Sequence, residues 1–496
     1  MVLEVVYAAA SQIIPSGYTV HLCVAAVALV IIYAFAQGRS TTRERDLHAR
    51  VVVVTGAFTP LGLTLLTALA SRGAHVIAIS DYPLDHAYPS LIIPLLRSTT
   101  NNENIFAEHA DLSDPSSIRG FCTRFLTGQD QRLDAIVFGH EYHTIGSLLR
   151  RARPADRLAE KRETASLATF LMMTLLLPAL LVEPAERDIR IVNIVNPFYA
   201  ASIPAFTAQL AAAAGSPAQA AALVDEGSRA LRTVVLTRHL QRVLDSLPNR
   251  GPSTGPEQDA GKNKAAPAAK TGQEPNRLEM HPSNIIAVSV CPGISRKDTI
   301  VPLLGAERDA AEGWSLFGFM FYVVFFPILF LFTKSPSSAL QSVLHVLFLP
   351  TPLKRAFAHI DATINPAPTP ESTDEKKPAP KPTMVYEEVL KPGALYRECA
   401  VAQLNIPPLP SPPEDTKSDE KARADGKGKG KERASMPDAT FPDDGEFGGE
   451  AVGRAVWEWY EEHLKAWDMH SKTDEGQTKR EEAQEAKGEG EGIRTN

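Results

Sequence analysis

The stretch Val51-Val52-Val53-Val54-Thr55-Gly56-Ala57-Phe58-Thr59-Pro60-Leu61-Gly62 decides how this chain is read. Four consecutive β-branched residues suit a short strand covered on both faces, since a half-exposed strand alternates. Thr55-Gly56 breaks the run, Pro60 fits a first helical position, and a helical pattern follows as far as Arg72. A strand, a glycine turn and a helix in that order leave the unpaired N–H groups of the helix N-terminus at the carboxyl end of the strand. Such an end attracts anions.

Working outward, the same alternation repeats. Further apolar runs at 75–79, 105–110, 133–138, 190–195 and 284–290 read as strands, with helical patterns starting at Ser116 and spanning about 165–181 and 219–247. Continuous apolar strands separated by helices predict an α/β fold with a doubly wound, parallel, Rossmann-like sheet.

Two runs are too apolar for this scheme. Residues 19–36 (TVHLCVAAVALVIIYAFA) contain His21 as the one strongly polar side chain, and Arg39, Arg43, Arg45 and Arg50 follow. Segment 19–37 is predicted to be a transmembrane signal anchor, after an N-terminal segment 1–18, with the rest of the chain in the cytosol. Residues 314–333 (WSLFGFMFYVVFFPILFLFT) are richer still in phenylalanine and carry Pro327 inside. They are predicted to dip into one leaflet as a monotopic element, which keeps the tail cytosolic.

Composition bounds the rest. The chain has 496 residues, 44% hydrophobic and 22% charged, with a formal charge of −7. The acidic balance argues against a nucleic-acid binder. Cys23, Cys122, Cys291 and Cys399 are scattered, which excludes a zinc ribbon or a disulfide scaffold, and no metal site is expected. Fourteen of the 38 prolines lie between Pro350 and Pro413. The folded domain is therefore placed at 48–355, with a polar, disordered insertion at 251–280. The tail, 356–496, is expected to be mostly disordered, with helices near 386–404 and 453–467. In the second of these, Val456, Trp457, Tyr460, Leu464 and Trp467 form an aromatic stripe that reads as a helix docking back on the core. PPLPSPP at 407–413 can adopt polyproline II and offer a protein-binding segment.

The glycine turn resembles the T-G-x-x-x-G-x-G turn of the short-chain dehydrogenase/reductase superfamily. Asp111-Leu112 after the third strand and Pro292-Gly293 after the sixth resemble later family motifs, and 333–350 looks like the late helix of the retinol-dehydrogenase-like branch. The resemblance covers about residues 50–355. It implies a nicotinamide cofactor, NAD or NADP, held by Thr55, Gly56, Gly62, Asp81, Asp111, Pro292 and Gly293. Asp81 at the end of the second strand favours NAD, because a carboxylate repels a 2′-phosphate.

The family's chemistry needs a tyrosine proton donor, a lysine four residues on and a serine that orients the carbonyl. None of the eleven tyrosines has a lysine four residues later. Asp225 falls at the tyrosine, Arg229 at the lysine and Asn196 at the serine, while Pro60 replaces the middle glycine. An ionised aspartate does not donate a proton as a phenol does, and arginine does not tune a neighbour as lysine does. Asp225 and Arg229, at i and i+4, read instead as a helix-face ion pair. His140 and Tyr142, after the fourth strand, are the substitute acid–base candidates.

Three readings follow. The first is a membrane-anchored, catalytically degenerate relative that serves as a scaffold, nucleotide sensor or lipid-binding module. The second is an active NAD(P)-dependent oxidoreductase acting on a lipid carbonyl or alcohol through displaced residues. The third is a tether whose proline-rich tail recruits proteins. Membrane lipids and a lipid-like small molecule are the expected partners. The expected surface is the endoplasmic reticulum or a lipid droplet, with the mitochondrial outer membrane as alternative.

Overall fold

The computed structural model describes residues 19–128, 132–148, 157–184, 187–212, 222–247, 283–306, 315–355, 388–409 and 444–492. The expectations for 1–18 and for the insertion 251–280 lie outside these residues, as does most of the expected disordered tail.

Eight strands form one sheet in the order β3-β2-β1-β4-β5-β6-β7-β8. They are β1 (Val51–Thr55), β2 (His75–Ser80), β3 (Ile105–His109), β4 (Ala135–Phe138), β5 (Ile189–Ile194), β6 (Ile285–Cys291), β7 (Leu395–Arg397) and β8 (Ala400–Ala402). Every neighbouring pair is parallel except β7 with β8. The doubly wound parallel sheet expected from the strand pattern is thus present. Order reverses between β1 and β4, the point where such sheets open a crevice at the strand carboxyl ends.

The longer helices among the described residues are α1 (Thr19–Gln37), α2 (Pro60–Ala70), α3 (Ala87–Thr100), α4 (Pro115–Thr127), α5 (Arg157–Val182), α6 (Ala222–Ser246), α7 (Leu316–Phe332), α8 (Pro336–Phe348) and α9 (Gly449–Gly492). Buried side chains of α2, α3 and α8 cover one sheet face, and those of α4, α5, α6 and α9 cover the other. Residues 162–182 of α5 are as apolar as α1, yet 61% of that window is buried, against none of α1. One helix belongs to the core and the other does not.

Two tail expectations are corrected. Of the helix expected at 386–404, the described residues 388–404 are not helical: 395–402 form the β7–β8 hairpin, and β7 pairs with β6 through Ser289↔Leu395 and Cys291↔Arg397. Glu398 and Cys399, both at positive φ, make the two-residue turn that such tight hairpins require. The free edge of β6 needed a partner, and Leu395 and Tyr396 are fully buried there. Nor does the domain end at 355. Val452, Val456 and Tyr460 of α9 are fully buried. The Tyr460 ring stacks on Phe170 at 5.2 Å, and its hydroxyl bonds Ser166 Oγ at 2.6 Å. Arg119 of α4 grips Asp468 with two 2.7 Å bonds.

At the amino ends of the strands a buried ionic cluster ties the layers. Arg190 donates to both Asp188 oxygens and to the carbonyls of Val346 and Leu349, while Arg45 pairs with Asp188 at 2.8 Å. Burial pushes the Asp188 carboxyl up, but Arg190 and Arg45 outweigh it and hold the group below the usual carboxylate range. Removing one partner of such a pair strands a buried charge. Arg190→Ala is expected to cost about 3–5 kcal/mol, measured by urea unfolding in detergent. Because the folded-state pKa of Asp188 is lowered, its contribution is present above the unfolded value and lost as pH falls through the folded one.

Candidate functional site

The crevice is built around the glycine turn. Thr59 caps α2, its Oγ1 accepting from Gly62 N at 3.1 Å and donating to Gly56 O at 2.8 Å. Gly56 has φ +63°, and a Cβ on it would lie 2.6 Å from His140 N. A Cβ on Gly62 would lie 2.1 Å from Gly56 O, so both glycines are dictated by the backbone itself. Thr55 is fully buried; its Oγ1 meets His140 Nδ1 at 2.7 Å and accepts from Gly139 N at 3.2 Å.

The N-terminus of α2, where the resemblance expects a pyrophosphate, holds a carboxylate from the chain itself. Asp298 Oδ1 accepts from Leu61 N at 2.9 Å, and Oδ2 accepts from Ser295 Oγ at 2.7 Å. Asp298 is fully buried, and His143 Nδ1 stands 4.0 Å away. Burial pushes its carboxyl above the usual range, against the bonds from Ser295 and Leu61. The helix end therefore already has its anion, and Gly62 N is spent on Thr59. With Pro60 lacking an N–H, the residues present do not fit a dinucleotide pyrophosphate in that position.

The adenosine side differs. Asp81 is exposed just past β2. Asp111, half-buried past β3, accepts from Ser113 N at 2.8 Å and fixes its own turn. After β6, Pro292 O accepts from Lys334 Nζ at 3.0 Å, and Gly293 O accepts from Tyr142 Oη at 2.8 Å. Lys334 is itself buried and pairs with Glu398 of the β7–β8 turn at 3.3 Å. These two residues, expected to help hold the cofactor, instead anchor side chains of this chain.

The two acid–base candidates are brought to this end of the sheet, but neither presents a free group. His140 bonds Thr55 through Nδ1 and Ala165 O through Nε2 at 2.8 Å, and it is buried. Burial raises the Tyr142 phenol well above its ordinary value, with the Asp298 charge adding to that, and its proton is engaged by Gly293 O. Neither can exchange a proton with a ligand unless those bonds break.

The degenerate positions have become structural as well. Asn196 receives Phe198 N at 3.0 Å and donates to Glu226 O at 3.2 Å. The expected ion pair between Asp225 and Arg229 is corrected: Asp225 is exposed, and the buried Arg229 binds Glu226, three residues back, at 2.7 Å. Glu226 also takes Arg162 at 2.8 Å and Gly146 N at 2.9 Å, so it is the better-partnered carboxylate. Beside them the buried Glu141 accepts from Thr169 and Thr233. Asp298 and Glu226 are not singled out by the sequence reading. Only Ser295-x-x-Asp298 carries a local signal, a serine capping the turn three residues before an acid. The cavity of about 470 Å³ lined by His75, Phe106, Glu108, Phe121 and Arg124, among others, shares no residue with this cleft.

The chain is similar in sequence to proteins named as oxidoreductases and dehydrogenases. The chain is 28% identical over 336 residues to an uncharacterized oxidoreductase of Saccharomyces cerevisiae, covering 64% of this chain and 72% of that protein. An uncharacterized oxidoreductase of Schizosaccharomyces pombe is 31% identical over 172 residues, 34% of this chain and 45% of the relative. Retinol dehydrogenase 12 of Homo sapiens is 32% identical over 167 residues, 33% of this chain and 48% of the relative. The chain thus spans less than half the length of these last two. Among solved structures, an actinorhodin polyketide ketoreductase with NADPH is similar at 16% identity and a TM-score of 0.38, covering 62% of this chain and 92% of its own. No family model matches the chain. The chain is similar to members of the short-chain dehydrogenase/reductase superfamily. Within it, the similarity lies with the retinol-dehydrogenase-like branch.

Proposed function

We propose that this chain is a membrane-held, catalytically degenerate member of its superfamily, whose α/β domain acts as a scaffold or lipid-binding module and not as a hydride-transfer enzyme. The observation that carries the reading is the Asp298 carboxylate on Leu61 N–H, at the N-terminus of α2. An internal anion at that position competes with a pyrophosphate by occupancy and by charge. The loss of the tyrosine–lysine pair points the same way, since Asp225 is exposed and Arg229 is held by Glu226. With the cleft closed in this manner, neither NAD nor NADP is a resident cofactor, and the carboxylate at Asp81 has no 2′-hydroxyl to read.

Membrane attachment rests on α1, whose 19 residues reach about 28 Å, close to the thickness of a hydrocarbon core. Arginines at 39, 43, 45 and 50 follow it and favour a cytosolic domain on an endoplasmic reticulum or lipid-droplet surface, with protein partners recruited through the proline-rich segment. The test uses the full chain in detergent, with NADH and NADPH titrated by fluorescence and turnover followed on retinoids, sterols and 3-ketolipids. The expected result is no saturable binding below millimolar nucleotide and no turnover. Turnover that His140→Ala or Tyr142→Phe abolishes overturns the proposal in favour of a working oxidoreductase.

A further inference from the structure

The helix α7 is the other apolar element, and its surroundings are specific. At its N-terminal side, Ser315 N donates to Gly305 O at 3.1 Å, and a Cβ on Gly318 would lie only 1.9 Å from Leu304 O. At its C-terminal side, Lys334 N donates to Ile294 O at 2.9 Å, and Arg296 N donates back to Lys334 O at 3.0 Å. Arg296 stacks over the rings of Phe326 and Phe330 at 5.6 and 4.5 Å. Residues 296–304 therefore run along α7 from its C-terminal to its N-terminal end. Both ends of a helix of about 25 Å return to the same domain. A helix tied in this way cannot have its ends on opposite sides of a bilayer.

The contact with the body is narrow. Within the helix only Gly318 is buried, while Phe317, Met320, Val323, Val324 and Ile328 are each more than half exposed. No charged side chain lies between Leu316 and Phe332. The occupant of this face is set by α1. Tyr33 stacks on Phe330 at 5.3 Å. Gln37 donates to Thr333 O at 3.3 Å and accepts from Ser338 Oγ at 2.7 Å. The end of the spanning helix and the end of α7 thus share one depth, just apolar of a polar cluster formed by Gln37, Thr333, Ser335 and Ser338. Whatever solvates α1 there also meets α7.

We infer that α7 is an in-plane membrane-docking helix, immersed in the leaflet on the side of residue 38, and that the bilayer is the partner of its exposed face. This rests on the membrane attachment through α1 proposed above. One consequence concerns the cleft: the segment that carries Asp298 lies between α2 and α7, so the strand ends face the lipid surface through that segment.

The test takes the full chain in microsomes, with Val324→Cys, Ile328→Cys and, on the exposed side of α4, Thr123→Cys. A membrane-impermeant maleimide is expected to label the cysteine at 123 in intact vesicles and those at 324 and 328 at least tenfold less, until detergent is added. A photoactivatable phosphatidylcholine is expected to cross-link within 315–334, and a C-terminal tag should be cut by added protease. Equal labelling at all three positions, cross-linking to a second copy in place of lipid, or a protected tag would each overturn the inference. Carbonate extraction reads the α1 anchor separately, so failure of the anchor is told apart from failure of α7.

Discussion

A chain ended at residue 355 is expected not to fold, although the motifs that carry the family resemblance all lie before that point. Such a chain lacks β7, which leaves β6 as an open apolar edge, and it lacks α9, which covers α5 and α6. Val452, Val456, Trp459 and Tyr460 are buried against that face. At about 1.5–3 kcal/mol for each buried large side chain, α9 contributes roughly 6–12 kcal/mol, comparable to the whole stability of about 5–15 kcal/mol typical of a domain. A chain ended at 443 keeps the hairpin and loses α9 together with the short turn before it, which carries the buried Phe447 and the Asp444 partner of Arg242. Its melting temperature, followed by circular dichroism in detergent, should fall by about 15 °C or more, or it should aggregate. Tyr460→Ala in the full chain should cost about 3–5 kcal/mol, because it opens a cavity and leaves Ser166 without its partner. An unchanged cooperative melt at 443 would mean that α9 is dispensable.

Asp298→Ala is expected to separate the stability of the cleft from its occupancy. Leu61 N–H and Ser295 Oγ lose their acceptor together. Leaving these buried groups unsatisfied costs about 1–3 kcal/mol. Asp298→Asn keeps an oxygen for Leu61 and a polar group for Ser295, so its cost at neutral pH should be small. The pH dependence gives a second readout. Burial raises the Asp298 pKa in the folded state, so the fold holds that proton more tightly than the unfolded chain does. Its stability contribution is fullest at low pH and declines as pH rises through the folded pKa. Wild type should therefore lose stability relative to Asp298→Asn across that interval. With the carboxylate gone, the N-terminus of α2 again presents a free N–H and its dipole. NADH or ADP-ribose should then bind at least tenfold more tightly to Asp298→Ala than to wild type, by calorimetry. Wild-type affinity in the micromolar range, unchanged by the substitution, would remove the internal anion from any role in the cleft.

How far the site was legible follows from the range of its interactions. Thr55, Gly56 and Gly62 could be read because a strand, a tight turn and a helix start within twelve residues leave few residue types that fit. The replacements at 60, 196, 225 and 229 were equally plain, since a missing proton donor is a matter of residue type. Their partners were not. Arg229 has Asp225 and Glu226 both within helical reach, and the orientation of α6 against residues 144–146 makes Glu226 the partner. His140 and Tyr142 stand in the sequence only as acid–base candidates at the right strand end. Packing turned both into braces, one on Thr55 and one on Gly293.

The sequence by itself determined the parallel sheet, its glycine turn, the two apolar helices and the absence of the usual catalytic pair. Those are written in short-range periodicity and in residue chemistry. Tertiary structure alone decided that α7 returns both ends to the domain, that residues 395–397 of the expected tail supply β7, and that Asp298 closes the N-terminus of α2 from 237 residues away. Contacts at such separation leave no periodic trace. They depend on which edge, face or helix end remains unsatisfied once the rest has packed.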